Sequence, residues 1–486
     1  MKSIALSAIL LLAVVLGNHA RIASGRLVFA HYLIYAPDTI ATYKAEIQLA
    51  QSKGIDAFAL NTNVYRKNLF DQMYQAAREL GTGFKIFISA DIHADGNGRL
   101  SPADVVDMMT SYRTHPNQLT YEGKSFFTSW LGNDDSYWSF YGYANSFTAW
   151  RDIFNRAGGK SLYYFIPFFP TDGSYNGVTG VFNIFGTLVD GYYGWDTSAW
   201  NYINNNFDTL GTSPGDATSL QACVDAGKTY MASVSAWFFK NLGGQQCCPS
   251  TTPSCSPTSS DQSGCPCQVK GNYQGSGLWL QHWTQIINNP PPLVEIVSWN
   301  DWIEGHYVSP NLSVGAASSG VDVAGFPHDA FLDLGKHYID WYKTGTEPVP
   351  SQDSLYLFYY TQSSRVSISG QCSILHQDSL SDVVYAVIKL SPGPAATITI
   401  NSGGHSTVGT ATQGVNVIGM GFFEGTQSVT FVRGSVTYTL TGAKQISNRG
   451  LSSYNYNVYS AFCKNIQNGA CGSGFISDSV RSALAA

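Results

Sequence analysis

"LVEIVSWNDWIEGHYV", residues 293–308, begins as a wall and ends as chemistry. Its first part is a nearly continuous apolar run, the pattern of a strand covered on both faces. From Val297 onward it packs two carboxylates, two tryptophans, an asparagine, a histidine and a tyrosine into twelve positions. A buried strand that opens into a polar loop accounts for both halves.

Seven earlier runs share that apolar character: "RLVFAHYLI" (26–34), "IDAFALN" (55–61), "FKIFISAD" (84–91), "KSFFTSWLG" (124–132), "SLYYFIPFFP" (161–170), "LVDGYYGW" (188–195) and "TYMASVSAW" (229–237). Helical stretches separate them. In 38–54, Ile40, Tyr43, Ile47 and Ala50 recur at helical spacing, with Asp38 as the expected N-cap and Gly54 as the expected C-cap. A second helix is expected over 67–81, ending at Gly81, and a third starts at "SPADVVDMM" with a Ser cap and Pro in the first turn. The last spans 326–345, with Phe331, Leu334, Tyr338 and Tyr342 as its packing stripe. Eight strands alternating with helices predict a (β/α)8 TIM-type barrel over 26–346. An open doubly wound sheet is the competing fold, but no GxGxxG follows the first strand. From 350 to 486 the pattern changes to short alternating runs with Gly, Ser and Asn turns, an all-β, sandwich-like domain. Packing against the barrel is favoured for it over carbohydrate binding.

Hydrophobic residues make up 44% of the 486 positions, so the chain is globular. Charged residues are only 12%, whereas aromatics reach 14% with 29 Tyr and 11 Trp, a balance suited to handling sugars. A net charge of −6 and the lack of a basic run argue against nucleic acid as a partner. Residues 1–25 read as a secretory signal: Lys2 precedes an apolar run from Ile4 to about Leu16, too short to span a bilayer. A secreted protein, extracellular or in the cell wall, with no membrane contact is expected. Nine cysteines in such a chain imply disulfides, and five of them crowd into the loop 247–267. That loop holds no histidine, which disfavours zinc. An odd count leaves one thiol over. Asn311 carries the one glycosylation sequon.

Barrel active sites lie at the C-terminal ends of the strands. Those ends collect His31, Asn61, Asp91, Trp130, Trp195 with Asp196, Trp237, Trp299, Asn300 and Asp301, with Glu304, His306 and Tyr307 just beyond. Two carboxyl groups are what glycoside hydrolysis needs, one to protonate the leaving oxygen and one as base or nucleophile. Asp301 and Glu304, three apart in one loop, can meet in one cleft with their proton affinities pushed apart. Asp91 supplies a third carboxylate. The tryptophans are candidate sugar platforms. Asp91, His93 and Asp95 suggest a metal set but lack a fourth ligand, so neither metal nor cofactor is expected. Neither a GxSxG elbow nor an HExxH or P-loop motif occurs.

In this order of motifs, from "VFAHYLI" through "YEGKSFFTSWLG", "DGYYGW" and "YMASVSAWFF" to "LVEIVSWNDWIEGHY", residues 27–345 resemble glycoside hydrolase family 71, the fungal α-1,3-glucanases or mutanases. The resemblance implies a barrel with a β-rich C-terminal domain, no metal, and inverting hydrolysis of α-1,3-glucosidic linkages. It places the essential acids on Asp301 and Glu304 and a third important aspartate on Asp91. Ile303 and Gly305 depart from the family's usual Gly and Ser on either side of the glutamate. The expectation is a monomeric endo-α-1,3-glucanase, with Glu304 as acid and Asp301 as base. Substrate contacts are expected from His31, Asn61, Trp130, Trp195, Trp237, Trp299, Asn300, His306 and Tyr307. The alternatives are a non-catalytic wall-glucan binder on a degenerate barrel, or the same mechanism on another polysaccharide.

Overall fold

The computed structural model describes residues 25–35, 38–93, 98–171, 177–195, 214–241, 267–269, 277–310, 323, 325–375, 377 and 380–473. The signal segment, nearly all of the cysteine-rich loop, Asp95, Asp196 and Asn311 lie outside the described residues.

All eight expected strands are present: β1 (Leu27–Leu33), β2 (Ala57–Thr62), β3 (Lys85–Asp91), β4 (Lys124–Trp130), β5 (Tyr163–Phe165), β6 (Gly191–Gly194), β7 (Thr229–Ser235) and β8 (Leu293–Val297). They form one curled parallel sheet in the order β5-β4-β3-β2-β1-β8-β7-β6. Its two edge strands approach each other, and Asp190 N–H and Tyr193 N–H donate to Phe165 O and Pro167 O at 2.8 and 3.0 Å.

Strand alternation sorts the side chains into two cores. Phe29, Ala59, Phe87, Phe126, Met231 and Leu293 fill the inside of the curl. Their neighbours in sequence, among them Val28, Ala30, Phe58, Ile86 and Val294, pack outward against the helices. Inward-facing positions at the top of the same strands are therefore the ones that can reach a ligand. Helix ends follow local chemistry. Helix α1 (Ile40–Ser52) is capped by Thr39 rather than the expected Asp38, because Thr39 Oγ1 accepts the Thr42 N–H at 3.0 Å while Asp38 bonds the Thr39 N–H. Helix α2 (Lys67–Leu80) ends on Gly81 in the left-handed conformation, and α3 (Pro102–Tyr112) carries a Ser101–Asp104 capping box. Among the described residues, no helix is long and apolar enough to cross a membrane.

The C-terminal region is all antiparallel: a five-stranded and a four-stranded sheet around a second core. Cys463 and Cys471 form a disulfide there, and among the described residues Cys223 is a free, buried thiol. The β region packs on the α/β part through a buried charge cluster. Asp333, on the helix α4 (Asp329–Thr344), receives Lys53 Nζ at 2.7 Å, the Tyr356 hydroxyl at 2.8 Å and Lys464. Burial pushes the Asp333 carboxyl up, but Lys53 and Lys464 outweigh it and hold the group down to about 2.

A depressed carboxyl contributes stability above its unfolded value, near pH 4, and loses it as pH falls through the folded one. Asp333→Asn leaves two mostly buried lysines without an anion, an expected loss of about 3–5 kcal/mol at pH 7 by urea unfolding. The deficit should shrink toward pH 2. A loss under about 1 kcal/mol, the size of an exposed pair, would contradict this placement.

Candidate active site

Beyond Val297 the chain leaves β8 and returns on itself. Ser298 N–H donates to His306 O at 3.0 Å, Val308 N–H to Ser298 O at 3.1 Å, and Trp299 N–H to His31 O at 2.7 Å. These bonds close residues 298–308 into a loop standing on the end of β8. Inside it the Ser298 hydroxyl accepts the Asp301 N–H at 2.8 Å and bonds His306 Nδ1 at 3.0 Å. Asp301 Oδ1 in turn accepts the Glu304 N–H at 3.1 Å. The result is a cluster in which one carboxylate oxygen each of Asp301 and Glu304 and a ring nitrogen of His306 lie within 4.8 Å of one another.

Their surroundings differ. The Asp301 side chain is 16% exposed, and its carboxyl is raised above the ordinary value by burial first and by the Glu304 charge second. Glu304 is more open; His306 Nε2 bonds its Oε2 at 2.9 Å and Lys240 Nζ donates to Oε1 at 3.2 Å. Against an ionised carboxylate Nε2 carries the proton.

Gly305 makes the Lys240 contact reachable. Its φ is +67°, and a Cβ there would meet Phe239 O at 2.9 Å, so a side chain would push away the strand Phe239–Asn241 that carries Lys240. Phe239 N–H donates to Glu304 O at 2.9 Å across the same approach. This departure from the family pattern thus has a structural reason. The exposed Ile303 has none that the structure explains.

Two of the expected tryptophans line the mouth. Trp195 packs edge-on against His31, Trp130 and His306, with centroids 4.8, 6.1 and 6.5 Å apart. Trp130 Nε1 is buried and has no acceptor among the described residues. Asp91 ends β3 beside Trp130, its register partner, three strands along the sheet from β8. Asn61 sits at the inner top of β2, where its Nδ2 donates to Ser89 Oγ at 3.5 Å.

Four expected substrate contacts lie elsewhere. Trp299 is fully buried on the helix side, against Phe58, with Nε1 donating to Glu46. Trp237 is fully buried at the β region, donating to Tyr456 O at 3.0 Å. Tyr307 is fully buried, stacked on His328, with its hydroxyl donating to Phe326 O. Asn300 spends its amide on Leu33, donating to the carbonyl at 2.9 Å and accepting the N–H at 2.8 Å. These four are wall and clamp. Sequence reasoning missed Ser298, Lys240 and Glu295; the last is fully buried and bonds His31 Nδ1 at 2.7 Å.

Two carboxyl groups at the C-terminal end of a parallel strand are the groups that glycoside hydrolysis requires. The family model for glycosyl hydrolase family 71 matches residues 24–252 and 253–470, and the chain belongs to that family. It is 27% identical over 452 residues to the glucan endo-1,3-alpha-glucosidase agn1 of Schizosaccharomyces pombe, covering 89% of this chain and 94% of that protein. Against a mutanase of Penicillium rubens it is 27% identical over 401 residues, 78% and 76% of the two chains. Against the ascus wall endo-1,3-alpha-glucanase of S. pombe the figures are 24% over 416 residues, 80% and 85%.

A carboxyl whose folded value is raised contributes stability below its unfolded value and loses it as pH climbs through the folded one. Asp301→Asn keeps the acceptor for the Glu304 amide and cannot ionise. It is expected to raise the thermal unfolding midpoint at pH 7, with the gain vanishing as pH falls. A variant less stable than wild type at pH 7 would contradict the burial of this charge.

Proposed function

We propose that this chain is a secreted hydrolase that cleaves α-1,3-glucosidic linkages within α-1,3-glucan chains. The observation that carries the reading is the Asp301–Glu304–His306 cluster within 4.8 Å beside Trp195. The names of the three relatives, a glucan endo-1,3-alpha-glucosidase, a mutanase and an ascus wall endo-1,3-alpha-glucanase, support the linkage. The bonds between β5 and β6 support a closed (β/α)8 barrel over 26–346, with 350–486 as an accessory domain packed on it. The expected leader at 1–25 and the Cys463–Cys471 disulfide support secretion.

Asp301 and Glu304 together supply the acid and the base, and Asp91 holds a sugar hydroxyl or tunes the pair. In the free site burial first and the Glu304 charge second raise the Asp301 carboxyl above its ordinary value. The proton therefore belongs to the coupled pair and is assigned to neither member alone. Trp195 and Trp130 are the sugar platforms, and Lys240 steadies Glu304.

Reducing-sugar release from insoluble α-1,3-glucan is expected from wild type, with Glu304→Gln slower by about 10²–10⁴-fold. Binding without turnover in both proteins would instead support a glucan binder. Inversion is the outcome implied by the family resemblance. One oxygen of each carboxylate lies within 4.8 Å of the other in the free protein, and the carboxyl groups of an inverting pair stand roughly 6.5–9.5 Å apart when a sugar and water lie between them. Proton NMR of the first product should show the β-anomer; the α-anomer would mean retention.

A further inference from the structure

Glu295 is a carboxylate where the fold should have none. It lies in the middle of β8 and has no exposure. Below it the inside of the curl is apolar: Leu293 is below it on the same strand and Phe29 is its register partner on β1, while on its other side stands the buried Ser233 of β7. A lone ionised group in such a place costs several kcal/mol unless it is bonded, and replacing it by an apolar residue of similar volume is often neutral or stabilising. A carboxylate with no packing advantage, set one layer below the cluster at 301–306, calls for another account.

The close polar contact of that carboxylate is with His31, and the Tyr193 phenol lies beside it. Glu295 Oε1 meets His31 Nδ1 at 2.7 Å, and the imidazole is itself buried. The ionisation of the buried Tyr193 phenol is suppressed by burial first and then by Glu295. The contact with His31 fixes the ring in two ways. A carboxylate only accepts, so Nδ1 carries the proton. The ring edge bearing Nε2 is then turned away from Glu295, toward the mouth, where Trp195 packs edge-on at 4.8 Å. Trp195 is the ring that also touches His306, the partner of Glu304.

We propose that Glu295 is a positioning residue for the hydrolysis: it holds His31 as the Nδ1–H tautomer, so that Nε2 presents a lone pair to a sugar hydroxyl lying against Trp195. The inference rests on the glucan-hydrolase reading of the site. Orientation of this kind acts through geometry, as carboxylates behind metal-bound histidines do, where losing the outer partner typically costs 10–100-fold.

The test compares Glu295→Met, which keeps the volume but has no acceptor of comparable strength, with Glu295→Gln, whose carbonyl can still take the Nδ1 proton. Glu295→Met should unfold at or above the wild-type temperature while kcat on α-1,3-glucan falls about 10–100-fold. In its nitrogen-15 NMR spectrum, the His31 proton should leave Nδ1. Glu295→Gln should keep the Nδ1–H signature and recover kcat to within about threefold of wild type, since the retained bond is a neutral one. Wild-type kcat in Glu295→Met, or a Glu295→Gln as slow as Glu295→Met despite an Nδ1–H ring, would overturn the proposal. The tautomer is read without substrate, so a wild type inactive on α-1,3-glucan would sink the functional reading and leave the positioning claim to the spectrum.

Discussion

The Ser298 hydroxyl holds the site together. It is fully buried, it accepts the Asp301 amide, and it bonds the Nδ1 edge of His306. A hydroxyl has one proton to give, so it serves both neighbours by accepting from one and donating to the other. Asp301 is thereby fixed over the strand end, and His306 Nε2 is left facing Glu304. Without that hydroxyl the loop from 299 to 307 would keep its backbone ties and the Lys240 contact to Glu304, but Asp301 would lose its anchor. The placement of charge depends on it too, because Asp301 can be held in a poorly solvated position only by bonds that outlast its protonation.

Under this loop the sheet makes a graded interior. Aromatic and aliphatic side chains fill the lower layers, and the polar pair His31–Glu295 comes above them. Trp195 and Trp130 stand at the same mouth. Apolar packing below gives rigidity, and the indole N–H groups of Trp130 and Trp302 have no acceptor among the described residues. Stability and function are thus separated along the strand axis. The ion cluster at Asp333 belongs to the other side of that division: it ties α1, α4 and the β region on the outside of the sheet.

Much of this was legible in the sequence. Eight apolar runs gave eight strands, Gly81 and Gly345 ended their helices in the left-handed conformation, and the Ser101 cap formed as its spacing suggests. Asp301, Glu304 and His306 were legible because they lie within one short loop. The departures have separate causes. Alternation carried past Val297 would put Trp299 inside the curl, but the chain turns at Ser298 and the indole goes to the helix side. Trp237 and Tyr307 likewise follow the strand ends in sequence but are claimed by the β region and by His328. Glu295 was hidden in a run read as apolar, and its single break in the pattern was the missed signal. Lys240 reaches Glu304 from another strand, across the space left by Gly305, and no local pattern announces such a contact.

The central claim is that one glycosidic oxygen fits between Asp301 and Glu304. A crystal structure of Glu304→Gln with a bound α-1,3-linked gluco-oligosaccharide tests it most directly. The account requires a linkage oxygen within hydrogen-bonding reach of Asp301 or Gln at 304, with a sugar ring against Trp195. An oligosaccharide seated elsewhere, with that loop untouched, would contradict it.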